Sequence, residues 1–257
     1  MQINKNRKFI VLQFLLFFCF SIAIAIAQPQ SKRDSLVALA NLATDTTRAK
    51  LYNDIVRKVF MPNYPDSMIF YAKKGAQVKV SGKAWHANLV NTIGIGFYYK
   101  SAFDSALYYY LEALKIREEI GNEKQIISSM NNIAVIYQIK GDLESALNYY
   151  FKVLRFREKA KDQDGISSIC ENIGNLYLER FDTKQALHYQ LRALTIRQKL
   201  GDTLGVAQIN LNIANTYDLL NNKSDSVYYY ISSSIPILLK FDQLNYLGQA
   251  YNALGIY

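Results

Sequence analysis

Apolar residues recur along this chain with helical spacing, and the same arrangement returns after every forty residues. Within one period, Ile126 and Ile133 belong to a first apolar face, and a turn signal follows at residues 140–142, Lys-Gly-Asp. After that turn, Ala146 and Leu147 begin a second face with apolar residues three or four positions apart. Each period therefore predicts two amphipathic α-helices joined by a short turn, and no segment shows the alternation of a β-strand.

Equivalent positions carry similar residues in four successive periods. The isoleucine column is Ile93, Ile133, Ile173 and Ile213, and the small column beside it is Gly94, Ala134, Gly174 and Ala214. An aromatic column lies one helical turn further on, at Phe97, Tyr137, Tyr177 and Tyr217. A period of this length predicts a stack of helix hairpins, in which each unit buries its apolar face against its neighbours.

The pattern I-G/A-x-x-Y followed by A-L-x-Y-Y-x-x-A-L resembles the tetratricopeptide repeat in its long, forty-residue variety. That variety is typical of kinesin light chains and of bacterial peptide-sensing regulators. The resemblance covers about residues 44 to 257. It implies an all-α fold, an α-solenoid of antiparallel helix hairpins that winds as a right-handed superhelix.

The predicted organisation begins with a signal peptide and a short leader. The segments are 1–27 (signal peptide), 28–43 (leader), 44–81 (degenerate capping repeat), 82–121, 122–161, 162–201 and 202–242 (first to fourth repeats) and 243–257 (first helix of an incomplete repeat). The fourth repeat is expected to be looser, because Pro236 should break its second helix at the column of Ile116. The last helix is expected to expose Leu247, Tyr251 and Leu254.

The N-terminus has the character of an export signal. Lys5, Arg7 and Lys8 precede an apolar run over residues 9–26, and Ala-Ile-Ala at 25–27 offers a small-x-small cleavage site. These features predict a secretory signal peptide cleaved after Ala27, and therefore a periplasmic or other extracytoplasmic location. The competing interpretation is an uncleaved membrane anchor, since the run has 18 residues, near the lower limit for spanning a bilayer.

Cleavage would change both the charge and the cysteine content. The formal net charge would fall from +9 to about +6, and Cys170 would be the single remaining cysteine. An intramolecular disulfide would then be impossible, so we expect Cys170 to be a core residue and the stack to be held by packing alone.

In the tetratricopeptide family the first helices line a concave groove, and the matching positions of this chain are mostly polar and uncharged. Amide side chains both donate and accept hydrogen bonds, which suits the backbone of an extended peptide. The candidate binding residues are Asn88, Asn91, Ser128, Asn131, Gln138, Ser168, Glu171, Asn175, Gln208, Asn215 and Asp218. Lysine and arginine are absent from these positions, which argues against the carboxylate clamp of some relatives and against an anionic ligand.

Two further columns have structural interpretations. The asparagines at 132, 172, 212 and 252 recur in nearly every unit, as hydrogen bonding between repeats would require. Arg117, Arg157 and Arg197 recur in the last turns of second helices, where cations complement the helix dipole. With that explanation and an extracytoplasmic location, we do not expect nucleic-acid binding.

The sequence offers little to build a reaction on. It contains only two histidines, His86 and His188, and they share no pattern with paired carboxylates or with the cysteine. We therefore expect no enzymatic activity, no metal site and no cofactor.

Together these features predict an exported, non-catalytic scaffold that binds an extended peptide or a partner protein. The alternative is the sensory ectodomain of a membrane signalling protein, a histidine kinase, nucleotide cyclase or DNA-binding regulator, whose output domain lies beyond Tyr257. Contact with a membrane is expected only through an uncleaved N-terminal segment or a missing C-terminal span. The sequence carries no prediction of the oligomeric state or of the ligand.

Overall fold

A computed structural model of the chain describes residues 34–56, 64–78, 82–220 and 225–255. Within these ranges every regular element is a helix, and none of them combines the length and apolar character needed to cross a membrane. The predicted signal peptide lies outside the described residues. The helices are α1 (34–42), α2 (Asp45–Ile55), α3 (Pro65–Ala76), α4 (Lys83–Tyr99), α5 (Phe103–Ile120), α6 (Glu123–Ile139), α7 (Leu143–Lys159), α8 (Gln163–Glu179), α9 (Thr183–Leu200), α10 (Thr203–Leu219), α11 (Asp225–Lys240) and α12 (Leu244–Leu254).

The chain divides into two compact units, the first ending at Asn122 and the second starting at Glu123. In the first unit, consecutive helices from α2 to α5 pack against one another. Helix α1, which lies in the predicted leader, adds Ala40 to a core that contains Ile55, Met68 and Leu89. These four side chains are fully buried, so the described part of the leader, residues 34–43, contributes to the folded core of this unit.

The second unit contains three hairpins, α6–α7, α8–α9 and α10–α11, followed by α12. Three members of the predicted isoleucine column, Ile133, Ile173 and Ile213, are completely buried here. Cys170 is buried as expected, and burial raises the pKa of its thiol to about 11. The structure thus confirms an all-α fold of stacked antiparallel hairpins.

Aspartates and glycines set the helix ends. The Asp142, Asp162, Asp182 and Asp202 side chains each accept a hydrogen bond from the backbone N–H three residues later, at 2.9–3.1 Å. Gly121 and Gly201 end α5 and α9 with φ of 75° and 70°, the left-handed conformation that glycine adopts readily.

The fourth repeat contains one residue more than the other three. First helices start at Lys83, Glu123, Gln163 and Thr203, forty residues apart, but α12 starts at Leu244, after forty-one. Hydrogen bonds locate the change before Ser234. The Ser167 hydroxyl donates to the Ala193 carbonyl, 26 residues later, at 3.3 Å. Ala207 is the equivalent of Ser167 in the fourth repeat, and its carbonyl accepts a hydrogen bond from the Ser234 hydroxyl, 27 residues later, at 3.1 Å.

This extra residue corrects the expectation for Pro236. Helix α11 runs through the proline without ending, and the proline is exposed. With the shifted register, Pro236 corresponds to Lys115 and Arg155, which are exposed, and not to the Ile116 column. A carbonyl that loses its partner on the solvent side of a helix can bond to water, so the helix is not broken.

The expectation for the last helix was also wrong. Leu247 is 6 % exposed and Ala250 is fully buried, and both belong to one core cluster with Leu238 of α11. Tyr251 and Leu254 are partly buried against the same cluster. The apolar face of α12 is thus largely covered, because the helix packs on α10 and α11.

Candidate functional site

The eleven predicted binding residues lie on first helices, but the structure separates them into different environments. Five are held by side chains from second helices, one is exposed, three are half-buried, and two line an open cleft. These environments decide which residues are available to a ligand.

In the first repeat, the predicted asparagines bind an arginine of their own unit. Arg117 of α5 donates from Nη2 to Oδ1 of Asn88 and from Nη1 to Oδ1 of Asn91, both at 3.2 Å. Asn91 is 7 % exposed and Arg117 is 5 % exposed, and burial lowers the pKa of the guanidinium to about 10. The two amide oxygens are therefore already engaged by the fold.

In the third repeat an arginine again contacts the predicted residues, and here its partners include carboxylates. Arg197 of α9 donates to the Ser168 hydroxyl at 2.9 Å and to the Glu171 carboxylate at 3.5 Å. It also pairs with Asp164 and, at 3.1 Å, with Asp202. Burial raises the pKa of Glu171, and the positive charge of Arg197 opposes that rise.

These contacts add arginine to a face whose predicted positions carry none. Long side chains from the facing second helix reach these positions. Arg117 and Arg197 lie in the last turns of their helices as expected, and in addition Arg117 is buried and Arg197 is largely covered.

The second repeat uses its polar groups differently. Arg157 pairs with Asp162, which caps the next helix. Gln138 accepts a hydrogen bond from the Tyr150 hydroxyl at 3.2 Å and donates to Glu179 at 2.5 Å. Of the other predicted residues, Ser128 is exposed, and Asn131, Asn175 and Gln208 are half-buried.

An open cleft of about 510 Å³ lies between α10, α11 and α12 in the second unit. Its polar lining includes two predicted residues, Asn215 and Asp218, together with Asn212, Gln249 and Asn252. Its apolar lining comprises Leu211, Ala214, Val227, Ile231 and Ala253. The structure thus brings together the end of the predicted face on α10 and a second polar face on α12.

The forty-one-residue length of the fourth repeat explains why Gln249 and Asn252 of α12 were not predicted as binding residues. With a spacing of forty-one residues, Gln249 is the counterpart of Gln208, which is a predicted binding residue. Asn252 is then the counterpart of Leu211, three residues further along α10. The assignment of Asn252 to the second asparagine column was therefore wrong. The signal was present in the sequence, because Asp104-Ser105 recurs at Asp225-Ser226 after 121 residues.

The cleft combines hydrogen-bonding groups with an apolar surface. Four amide side chains each supply donors and an acceptor, and Asp218 adds one carboxylate. The volume falls in the range typical of ligand sites, about 300–1,000 Å³. Among the described residues, no group of three or more His, Cys, Asp or Glu side chains could hold a metal ion.

Comparison with known proteins agrees with the repeat pattern. Family models described as tetratricopeptide repeat match residues 85–159 and 167–200. No curated protein is similar enough to this sequence to count as a match.

Solved structures share the fold at low sequence identity. BtubC (BKLC) from P. vanneervenii is 19 % identical, with 84 % of this chain and 91 % of that chain covered and a TM-score of 0.71. A STAND signal transduction ATPase with a tetratricopeptide repeat sensor, from Pyrococcus horikoshii, is 15 % identical over 85 % of this chain and 34 % of that chain, with a TM-score of 0.74.

A third structure is the Rap conjugation gene regulator of plasmid pLS20, in complex with the Phr* peptide. It is 18 % identical over 79 % of this chain and 56 % of that chain, with a TM-score of 0.58. The present chain therefore spans about a third of the STAND protein and just over half of the Rap regulator. The family models thus identify tetratricopeptide repeats at residues 85–159 and 167–200, and the solved structures share the fold of stacked helix hairpins.

Proposed function

We propose that the chain is an exported, non-catalytic scaffold that binds an extended peptide in the cleft between α10, α11 and α12. The observation that carries the proposal is the lining of this cleft, where Asn212, Asn215, Gln249 and Asn252 occur together with apolar side chains. The tetratricopeptide scaffold is typical of proteins that bind other proteins, and the Rap structure contains a peptide.

An extended peptide suits both components of the lining. Its backbone N–H and C=O groups need partners when they leave water, and an amide side chain can satisfy either kind. Its side chains alternate in direction, so one can contact the apolar lining formed by Leu211, Val227 and Ile231 while its neighbours stay in solvent. The proposed peptide site is therefore the cleft at the C-terminal end of the second unit and not the whole predicted groove.

A peptide-display selection tests this function. Random dodecapeptides would be selected on the immobilised full-length chain, and the affinity of the recovered peptides measured by fluorescence anisotropy. Asn215→Ala and Asn252→Ala should each weaken binding about five- to tenfold, since each removes a hydrogen bond to the peptide backbone. Asn148→Ala, on an exposed part of α7, is the matched control and should bind as the original chain does.

Two results would contradict the proposal. One is a failure of the selection to yield any peptide that binds the chain. The other is a set of peptides whose affinity is unchanged by both cleft substitutions. Circular dichroism melting curves of each variant would separate a binding loss from unfolding.

Export is the second component of the proposal and rests on the charged leader and the apolar run over residues 9–26. Mass spectrometry of the chain recovered from cells should give a mature protein that starts at Gln28. An intact N-terminus together with a membrane-fraction location would instead support the uncleaved anchor.

A sensory ectodomain remains the second candidate. It is supported by the fold shared with the tetratricopeptide repeat sensor of the STAND protein. Sequencing of the gene beyond the codon for Tyr257 tests it directly. A reading frame that continues into a hydrophobic span and an output domain would favour the sensor, and an immediate stop codon would exclude it.

A further inference from the structure

One ion pair recurs between the start of a first helix and the end of the second helix in the same repeat. In the first repeat, Nζ of Lys83 lies 2.6 Å from Oε2 of Glu119. In the second repeat the charges are exchanged, and Nζ of Lys159 lies 3.4 Å from Oε1 of Glu123. These two positions therefore form an ion pair in both repeats, with the acid on the second helix in the first repeat and on the first helix in the second repeat.

The third repeat lacks the acid of this pair. Gln163 stands where Glu123 stands in the repeat before, while the lysine is retained as Lys199. No carboxylate within the described ranges pairs with Lys199. This repeat therefore presents a cation at a place where the first and second repeats carry an ion pair.

Lys199 belongs to a shallow groove of about 470 Å³ between α7, α8 and α9. Lys161 and Arg192 also line the groove, and Ile166 and Ile196 form its apolar part. Arg192 is occupied by Glu158, at 2.5 Å from Nη2 to Oε1. Lys161 and Lys199 remain as two exposed cations with no ion pair among the described residues.

We infer that this groove is an interaction surface for an acidic, partly apolar segment of a partner protein. A carboxylate of the segment would occupy the position that Glu123 fills in the second repeat, and a second one would approach Lys161. An apolar side chain beside them would cover Ile166 and Ile196. Charge complementarity of this kind sets partner choice and association rate more than it sets total affinity.

The composition of the groove favours a protein segment over nucleic acid. The isoleucines Ile166 and Ile196 lie within the lining and have no role toward phosphates. Nucleic-acid binding in general uses a larger set of phosphate contacts than two free lysines provide. The surface is separate from the cleft on α10–α12, so the inference does not depend on the proposed function.

Binding of a defined acidic peptide tests the inference. The probe is a fluorescein-labelled decapeptide of alternating Glu and Leu, and the reference probe has Gln in place of Glu. The full-length chain should bind the Glu peptide more tightly than the Gln peptide, and the difference should shrink as salt is added.

The informative variant is Gln163→Glu, which gives the third repeat the ion pair of the second. It should weaken binding of the Glu peptide about threefold, because Lys199 gains an internal partner. Lys161→Gln combined with Lys199→Gln should weaken binding about tenfold. Asn215→Ala, which alters the other cleft, should leave the Glu-peptide affinity unchanged.

The inference is overturned if the full-length chain fails to bind the Glu peptide at concentrations up to about 1 mM. Equal affinity of the original chain and the Gln163→Glu variant would overturn it as well. Displacement of the peptide by short duplex DNA at a lower concentration than by unlabelled Glu peptide would assign the surface to nucleic acid instead.

Discussion

The guanidinium of Arg197 lies 3.5 Å from the carboxylate of Glu171, measured from Nη2 to Oε1. The two residues are 26 positions apart, on the facing helices of one repeat. Glu171 was a candidate ligand contact from its sequence position. Its carboxylate is instead a partly buried partner within the fold, and this has a measurable consequence for stability.

The stability contribution of Glu171 should depend on pH. Burial raises the pKa of this carboxyl above its usual 4.5, so the folded state holds the proton more tightly than the unfolded state does. Relative to Glu171→Gln, the original chain should therefore be most stable below pH 4.5 and should lose stability as the pH rises through that value toward the raised pKa. Urea unfolding of both proteins at pH 4 and pH 7 measures the change.

The opposite trend would show that ion pairing with Arg197 outweighs the cost of burial. In that case the original chain would gain stability over Glu171→Gln between pH 4 and pH 7.

Arg117 should be a major determinant of stability in the first unit. Its replacement by alanine would leave Oδ1 of Asn88 and of Asn91 without the guanidinium and would remove a buried side chain. We expect a loss of about 2–3 kcal/mol in the free energy of unfolding. Arg155→Ala, at an exposed position, is the control and should change it by less than about 0.5 kcal/mol. Equal effects of the two substitutions would refute this role.

The periodicity of the sequence was sufficient to predict the helices and the core, because equivalent apolar positions are buried in each repeat. The buried isoleucine column, the glycine ends at Gly121 and Gly201, and the core position of Cys170 all follow from spacing and residue type. The binding face was less predictable, since a helical pattern shows which residues share a face but not what reaches them from another helix.

Two structural features that affect the binding residues could not be predicted from the forty-residue pattern. Arginine side chains cross from second helices to the predicted positions, which occupies Asn88, Asn91 and Ser168. One additional residue in the fourth repeat then shifts α12, which brings Gln249 and Asn252 to the cleft. A strict period assigned those two residues to other columns.

Gly96 permits the close approach of α4 to α3. A Cβ at this position would lie 2.5 Å from Cγ1 of Ile69 and 3.4 Å from the carbonyl oxygen of Pro65. Gly96→Ala should therefore lower the free energy of unfolding by about 1–2 kcal/mol, although alanine is the better helix former. Gly248→Ala in α12, where a Cβ meets nothing within 4 Å, should raise it by about 1 kcal/mol. Thermal or chemical unfolding distinguishes the two signs.

Phe181 should limit the stability of the α8–α9 turn. It is 89 % exposed and has φ of 59°, a conformation that is unfavourable for a residue with a side chain. Phe181→Gly should stabilise the chain by about 1 kcal/mol in chemical unfolding. Gly141, with φ of 78° in the preceding repeat, is the matched position, and Gly141→Phe should destabilise by a similar amount. A loss of stability in Phe181→Gly would point to a packing role for the ring.

The most direct test of the account is to map a bound peptide on the full-length, ¹⁵N-labelled chain by nuclear magnetic resonance. A peptide recovered from the display selection should shift the side-chain amide resonances of Asn215, Gln249 and Asn252, which line the cleft. The amides of Asn88 and Asn91, held by Arg117, should stay in place. Shifts confined to Asn88 and Asn91, with the three cleft amides unmoved, would contradict the assignment of the binding site.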